Sequence, residues 1–571
     1  MAVKRPIVHY AGLTAILLLG AALRFWQLDS KPLWLDEVIT ALISLGHSYQ
    51  DVPLDTFFPL TAIDQIFVFQ PGVSCAQITQ TVITESVHPP LFFCLLYRWL
   101  DWLRPNMQQW VWALRSLPAL FGVGAIGAIY GLNRIAFTPA TGLMAAALMA
   151  VSPFAVYLSQ EARHYTLPML LISLSLTILV RLQQGIEQQT RSRPWWLIWV
   201  VISAIGLYVH YFMALAVVAQ LLALGSWMSW QRHQTHLRHW LEMGGAIALL
   251  GLTYVPWLPT MLHHFSRPET DWLRPHDPGW LDRIAPLYQT VVGWVLMLIA
   301  LPIEAQPLAI ALPAAVLIAG FVVGLTPHLY RGVKQRWQEP SSRSPLLLLA
   351  GFTGYVLLQF WAIVYLLDKD ITAVPRYNFV YYPGMAALLG AVLGSPYPAG
   401  KKAISRWFRW RVQAIVVCVG IVSSLIVGYG LAFQKGYYPH RIASNMYLAP
   451  STPLAVAMSY ESLQDVALGL SVALELHQQY PVITDETPFR FAFLQRHTSY
   501  RQVWQDLASL PQPLPLPLNL WIAAPGLRAK QFPEQLRLSQ PTGDRPKARC
   551  AIDRAHYHRI GFPYQLYRCR P

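Results

Sequence analysis

The adjacent carboxylates Asp36 and Glu37, in "PLWLDEVIT" (32–40), are the first residues of this 571-residue chain whose types could do chemistry. They follow a long apolar run, and no basic residue lies closer to them than Lys31. Four more clusters place ionisable groups beside apolar segments. They are His88 in "ESVHPPLFF", Glu161, Arg163, His164 and Tyr165 in "SQEARHYTLP", His210 and Tyr211 in "LYVHYFM", and Arg376 and Tyr377 in "AVPRYNFVYYPG". A carboxylate within reach can take a proton from a hydroxyl, and arginine or histidine can hold an anion. Ionisable groups at a bilayer boundary are unfavourable unless paired or used, so one shared site is the economical reading. Each group also has a bland reading. The acidic pair suits a solvated loop, His210 an aromatic belt, the arginines an anchor on lipid phosphates, and His88 a helix start before the double proline.

The elements that must position these groups are membrane spans. The chain is 54% hydrophobic and only 12% charged, about half the charged fraction of an ordinary soluble protein. Apolar runs of spanning length recur from Ile7 to Ala432. The net charge of +15 is spread as punctuation between these runs, which argues for topology and headgroup contact rather than nucleic-acid binding. No cleavage site follows the first run, where Arg24 and Trp26 mark an interface, so it reads as an uncleaved span.

Lys4 and Arg5 put the N-terminus in the cytoplasm. Basic loops at 131–137, 181–194, 231–240, 331–344 and 401–411 are expected on the same side. This gives about 11 spans, near 8–26, 113–133, 141–159, 165–181, 195–210, 212–230, 241–262, 306–326, 346–367, 378–395 and 412–432. The short stretches 89–103 and 287–303 suit interfacial or re-entrant helices. All five clusters then fall at outer ends of spans. The expected fold class is a polytopic α-helical membrane protein, with a transmembrane domain over 1–432 and a first outer loop over about 27–112. A small extracytoplasmic α/β domain over 433–571 completes it, with strands at "TPLAVAMS" and "LPLNLWIAA" and a helix over 463–480. Five cysteines are too few for a disulfide scaffold. Cys550 and Cys569 either pair in an oxidising compartment or are two free thiols.

"LRFWQLDSKPLWLDEV", "HPPLFF", "RSLPALFGVGAIGAIYGLNRIAF" and "SPFAVYLSQEARHYTL", in this order and spacing, resemble the C-superfamily (GT-C) glycosyltransferases. The likeness is to the bacterial branch near protein O-mannosyltransferases and the lipid A aminoarabinose transferase. The likeness covers roughly 8–230, with support from "VPRYNFVYYPGMAALLG". It implies transfer of a sugar from a polyprenyl-phosphate carrier to a lipid, glycan or protein acceptor at the outer face of the plasma membrane. It also implies an essential first-loop acid at Asp36, a group near the donor phosphate at His88, and a later-loop acid at Glu161. No domain is inserted between the later spans, which weakens the case for a protein acceptor.

In such a reaction Asp36 is the first choice as base, with Glu37 or Glu161 next. Arg163, Arg376 with Tyr377, and His88 would stabilise the departing phosphate. His164, Tyr165, His210 and Tyr211 would line the substrate pocket. Asp36, Glu161 and His210 are the candidate ligands for a divalent metal ion, but no metal-ligand spacing is present and the cations could neutralise a phosphate unaided. Arg267, Arg274 and Arg283 could meet anionic headgroups. The competing class is a transporter or flippase, which should carry its charges at the bilayer midplane on repeated halves. The outer placement of the clusters and the lack of a repeat favour the transferase.

Overall fold

The computed structural model describes residues 4–190, 192–267, 272–274, 279–394, 403–448, 452–480, 489–512, 514–538 and 548–571, with side chains described from Ile7 onward and not for 403–409. Residues 401–409 of the basic loop at 401–411 therefore lie outside the described side chains. The chain divides into two compact units. The first comprises residues 1–28, 86–92 and 115–434; the second comprises 29–85, 93–114 and 435–571.

The first unit is helical. Among the described residues, eight helical segments are long and apolar enough to cross a membrane: Ile7–Phe25, Trp110–Ala136, Thr166–Glu187, Met213–Trp230, Leu237–Phe265, Leu308–Gln338, Pro340–Leu367 and Trp410–Gly428. The pair Pro139–Val151 and Pro153–Ser159, bent by 59°, makes up to a ninth. Two shorter apolar helices, Arg193–Leu207 and Tyr382–Leu393, occupy the remaining expected segments. The protein is therefore a multi-pass membrane protein. The stretches 89–103 and 287–303 overlap the helices Leu91–Leu103 and Trp280–Leu296.

The 59° bend explains a residue the sequence misassigns. Arg24 is not an interface marker; it is fully buried. Pro153 has no N–H to offer the carbonyl of Met149, so the helix before it ends in orphan acceptors. The Arg24 guanidinium donates to Met149 O and Ala150 O, both at 2.9 Å, and Ser424 Oγ donates to Val151 O at 2.8 Å. Below the bend, Ser152 Oγ caps the next helix by accepting from Ala155 N at 3.4 Å. Arg24→Leu should leave two carbonyls stranded and destabilise the protein by about 2–4 kcal/mol. A thermal midpoint equal to wild type in the same detergent would refute this.

Among the described residues, the second unit contains a seven-stranded sheet ordered β1-β3-β2-β4-β7-β6-β5. The strands are β1 (Phe57–Pro59), β2 (Leu454–Tyr460), β3 (Phe489–Gln495), β4 (Leu518–Ala523), β5 (Gln535–Leu538), β6 (Ala548–Ile560) and β7 (Phe562–Arg570). The parallel core β3-β2-β4 reads as mostly apolar runs, broken by Ser459, Arg490 and Asn519, because both faces are covered. The expected helix is present as Leu463–Gln479, capped by Ser462 Oγ on Asp465 N. The first-loop segment β1 pairs antiparallel with β3, so the loop contributes a strand to this sheet. Cys550 and Cys569 face each other across β6 and β7 and are bonded. A second disulfide, Cys75–Cys94, joins the helix Cys75–Glu85 to Leu91–Leu103.

Candidate active site

Within the first unit, three of the predicted clusters converge on the ends of helices. The double proline after His88 starts the helix Leu91–Leu103, and Leu91 N donates to Tyr208 O at 3.1 Å. That bond joins the His88 turn to the turn carrying His210. The segment 160–165 is pinned separately: Gln160 Nε2 donates to Trp26 O at 2.8 Å and to Leu23 O at 3.2 Å, at the end of the first span.

Arg163, only 2% exposed, brings Nη2 to 3.3 Å from His88 Nε2. A guanidinium can only donate, so His88 accepts on Nε2 and donates from Nδ1 to Ser86 Oγ, 3.2 Å away. His164 is fully buried between two other imidazoles, with ring centroids 4.8 Å from His88 and 4.5 Å from His210. Both of its ring nitrogens lack a hydrogen-bond partner among the described residues. His210 uses Nδ1 to accept from Phe212 N at 2.9 Å, where the helix Met213–Trp230 begins. Buried polar groups are ordinarily satisfied, so the open nitrogens of His164 mark a place suited to a hydrogen-bonding ligand.

Aromatic rings wall this cluster. Tyr165 packs beside His210 and against Phe379, and the Arg163 guanidinium lies 5.8 Å from the Tyr165 centroid. Phe379, which the sequence reading passes over, also meets His210 at 4.9 Å. Arg376 lies 5.5 Å from the Tyr377 centroid, and Tyr377 packs on Phe212. Tyr211 turns elsewhere. Its hydroxyl accepts from Trp257 Nε1 at 3.2 Å and shares a hydrogen bond of 2.7 Å with His264 Nδ1. His264 is a second residue the sequence reading misses, and Arg267, read there as a headgroup contact, donates to Ser86 O at 3.1 Å. Glu161 is buried two residues before Arg163.

The imidazoles are held neutral. Burial, then the Arg163 charge, keeps His88 well below its ordinary value, with His210, His264 and Arg376 adding to the effect. His164 is lowered in the same way, by burial first and then by His210 and Arg163. His210 is lowered from 6.5 to about 3 by burial and then Arg163. Their contribution to stability is complete above the unfolded value of 6.5 and is lost as pH falls toward the folded values. In that window each imidazole removes about 1.4 kcal/mol per pH unit. The thermal midpoint should therefore fall between pH 7 and pH 5; an unchanged or raised midpoint would contradict the assignment.

The acidic pair belongs to the second unit. The helix Leu35–Ser44 carries Asp36 and Glu37 in its first turn, where the helix dipole favours negative charge. Asp36 is half-buried, whereas Glu37 is 1% exposed and directs Oε2 back toward Trp34 N. Tyr437 Oη accepts from Leu35 N, Ser471 Oγ donates to Leu33 O at 2.6 Å, and Lys435 Nζ sits 3.8 Å from the Trp34 centroid. Burial, with Asp36 and Glu37 adding to it, raises the Tyr437 phenol and keeps it neutral. Among the described residues, no three His, Cys, Asp or Glu side chains gather as a metal site. Of the proposed ligands, His210 already has one nitrogen engaged.

Residues 88–258, less than a third of the chain, match the family model described as dolichyl-phosphate-mannose-protein mannosyltransferase. Among solved structures, ArnT from Cupriavidus metallidurans in the apo state aligns over 99% of this chain and 98% of its own, with TM-score 0.53 and 11% identity. The same protein bound to undecaprenyl phosphate aligns over 97% of each chain, with TM-score 0.53 and 12% identity. The Archaeoglobus fulgidus oligosaccharyltransferase covers 83% of this chain and 64% of its own, at TM-score 0.45 and 13% identity. A search of curated proteins finds no match. The chain has the GT-C fold seen in ArnT, and it resembles the protein mannosyltransferases over the segment that carries His88, Arg163, His164 and His210.

Proposed function

We propose that the protein is a glycosyltransferase that moves a sugar from a polyprenyl-phosphate carrier to an acceptor hydroxyl. The observation that carries this reading is the buried group of Arg163, His88, His164 and His210, cationic and rich in donors, inside a GT-C fold. The undecaprenyl phosphate bound to ArnT supports a lipid-phosphate donor.

In the proposed reaction the acceptor oxygen attacks the anomeric carbon as Asp36 takes its proton. The bond from that carbon to the phosphate oxygen breaks, and carrier phosphate leaves with the electron pair. Arg163 and Arg376 stabilise the growing negative charge, and the N–H groups of neutral His164 and His210 add hydrogen bonds. A single displacement inverts the anomeric configuration.

The reaction is proposed for the outer face of the plasma membrane, with the N-terminus cytoplasmic. Both disulfides fall in the second unit, which supports an oxidising compartment for it. The test supplies purified protein with polyprenyl-phosphate hexoses and pentoses plus membrane extract, and follows products by mass spectrometry. Acceptor-dependent release of carrier phosphate from one donor is expected. Movement of intact lipid-linked sugar across vesicles without cleavage would overturn the reading in favour of a flippase.

A further inference from the structure

A groove of about 380 Å³ opens along the first unit between two spans, Met213–Trp230 and Pro340–Leu367, away from the histidine cluster. Its floor is Ala223, Gly351 and Gly354, and Trp227, Trp230 and Leu358 flank it. Trp230 and Leu358 are exposed. The spans run antiparallel: Gln359 Nε2 donates to Leu215 O at 3.0 Å, and a Cβ on Gly351 would lie 3.4 Å from that of Ala223. The same register brings Arg343 level with residue 231, so Arg343 and Arg232 stand at one end of the groove. Each uses Nε on a backbone carbonyl, of Trp337 and Ser229 respectively. No carboxylate pairs with either among the described residues. Between this cationic end and the glycines, Ser226 and Tyr355 share a hydroxyl–hydroxyl hydrogen bond of 2.6 Å.

We propose that this groove seats one acyl chain of an anionic diacyl phospholipid, with Arg232 and Arg343 on its phosphate. Three features fit that occupant. From Leu347 to Leu358 the groove runs about 16 Å along the helix, close to one leaflet of a hydrocarbon core roughly 30 Å thick. The charge at its end is complementary to a phosphodiester, as at basic pockets between spans that hold anionic headgroups. The Ser226–Tyr355 pair lies about 6 Å below Trp230, at the depth of the ester carbonyls, and can hydrogen-bond to them. The groove is empty beside Gly354, where a Cβ would meet nothing within 4 Å.

The test incorporates the full chain into nanodiscs of phosphatidylglycerol mixed equally with phosphatidylcholine. Lipid retained per chain is then read by native mass spectrometry. Wild type should retain one phosphatidylglycerol, preferred about tenfold over phosphatidylcholine. The double variant Arg232→Gln/Arg343→Gln should bring that preference near one, and Gly354→Leu, which fills the groove, should cut retention of both lipids at least tenfold. Gly354→Ala adds one methyl in open space and should behave as wild type, which separates filling from misfolding. Retention unchanged in folded Gly354→Leu would overturn the proposal. So would retention of undecaprenyl phosphate in place of phospholipid, or a species of twice the mass that Gly354→Leu abolishes, which would give the groove to a second copy.

Discussion

Asp36→Asn should lower sugar transfer by about 10²–10⁴-fold, the range expected when a positioned general base is removed. Asparagine keeps the size and hydrogen-bonding outline of the side chain. It leaves Leu35 N on Tyr437 Oη and Thr40 Oγ1 on the Asp36 carbonyl, so the first turn should stay folded. Binding of carrier phosphate should be unchanged, because this role for Asp36 involves the acceptor proton rather than the leaving group. Glu37→Gln is the informative partner. Glu37 is buried and turned back on the start of its own helix, so its replacement should lower the yield of folded protein more than the rate per folded molecule. Full activity in a folded Asp36→Asn protein would remove Asp36 from the chemistry. Parallel variants at Glu37 and Glu161 would then decide which carboxylate acts.

The spans and the clusters at their ends were legible because each follows from local composition: an apolar run, then a charge the bilayer does not accept. What escaped depends on distant chain. Arg24 after an apolar run looks like an interface anchor, and only the break at Pro153, far along the chain, supplies the orphan carbonyls it serves. The strand β1 is three residues long, too short for alternation to register, and its partner β3 lies more than 400 residues later. Cys75 and Cys94 are joined through the packing of two helices, which their spacing does not reveal. His264 lies two residues past the run 241–262, which reads as one straight span. Pro256 and Pro259 interrupt that run with a turn of 3₁₀ helix, and a short helix then carries the imidazole to Tyr211. The three-histidine cluster was visible as separate motifs, but that His164 alone keeps both nitrogens open follows only from the packing.

Arg163→Gln should reduce carrier-phosphate release by about 10²–10³-fold, the effect of removing one preorganised donor to a developing oxyanion. The loss should appear mainly in kcat, because the charge it meets grows as the phosphate departs. Arg163→Lys should recover only part of it: the charge returns, but not the planar fork that can hold two phosphate oxygens together. A purely structural arginine predicts something different, namely lower stability for Gln and Lys alike with kcat intact in whatever remains folded. The pH response gives a second, independent readout. Arg163 is one of the charges that holds His88, His164 and His210 below the ordinary imidazole value, although burial comes first for all three. Removing it lets these rings bind protons more readily in the folded state. The loss of stability on acidification should therefore become shallower in Arg163→Gln than in wild type. A folded Arg163→Gln protein with wild-type kcat would end the case for this guanidinium at the leaving group, and an unchanged acid limb would show that its charge does not reach the imidazoles.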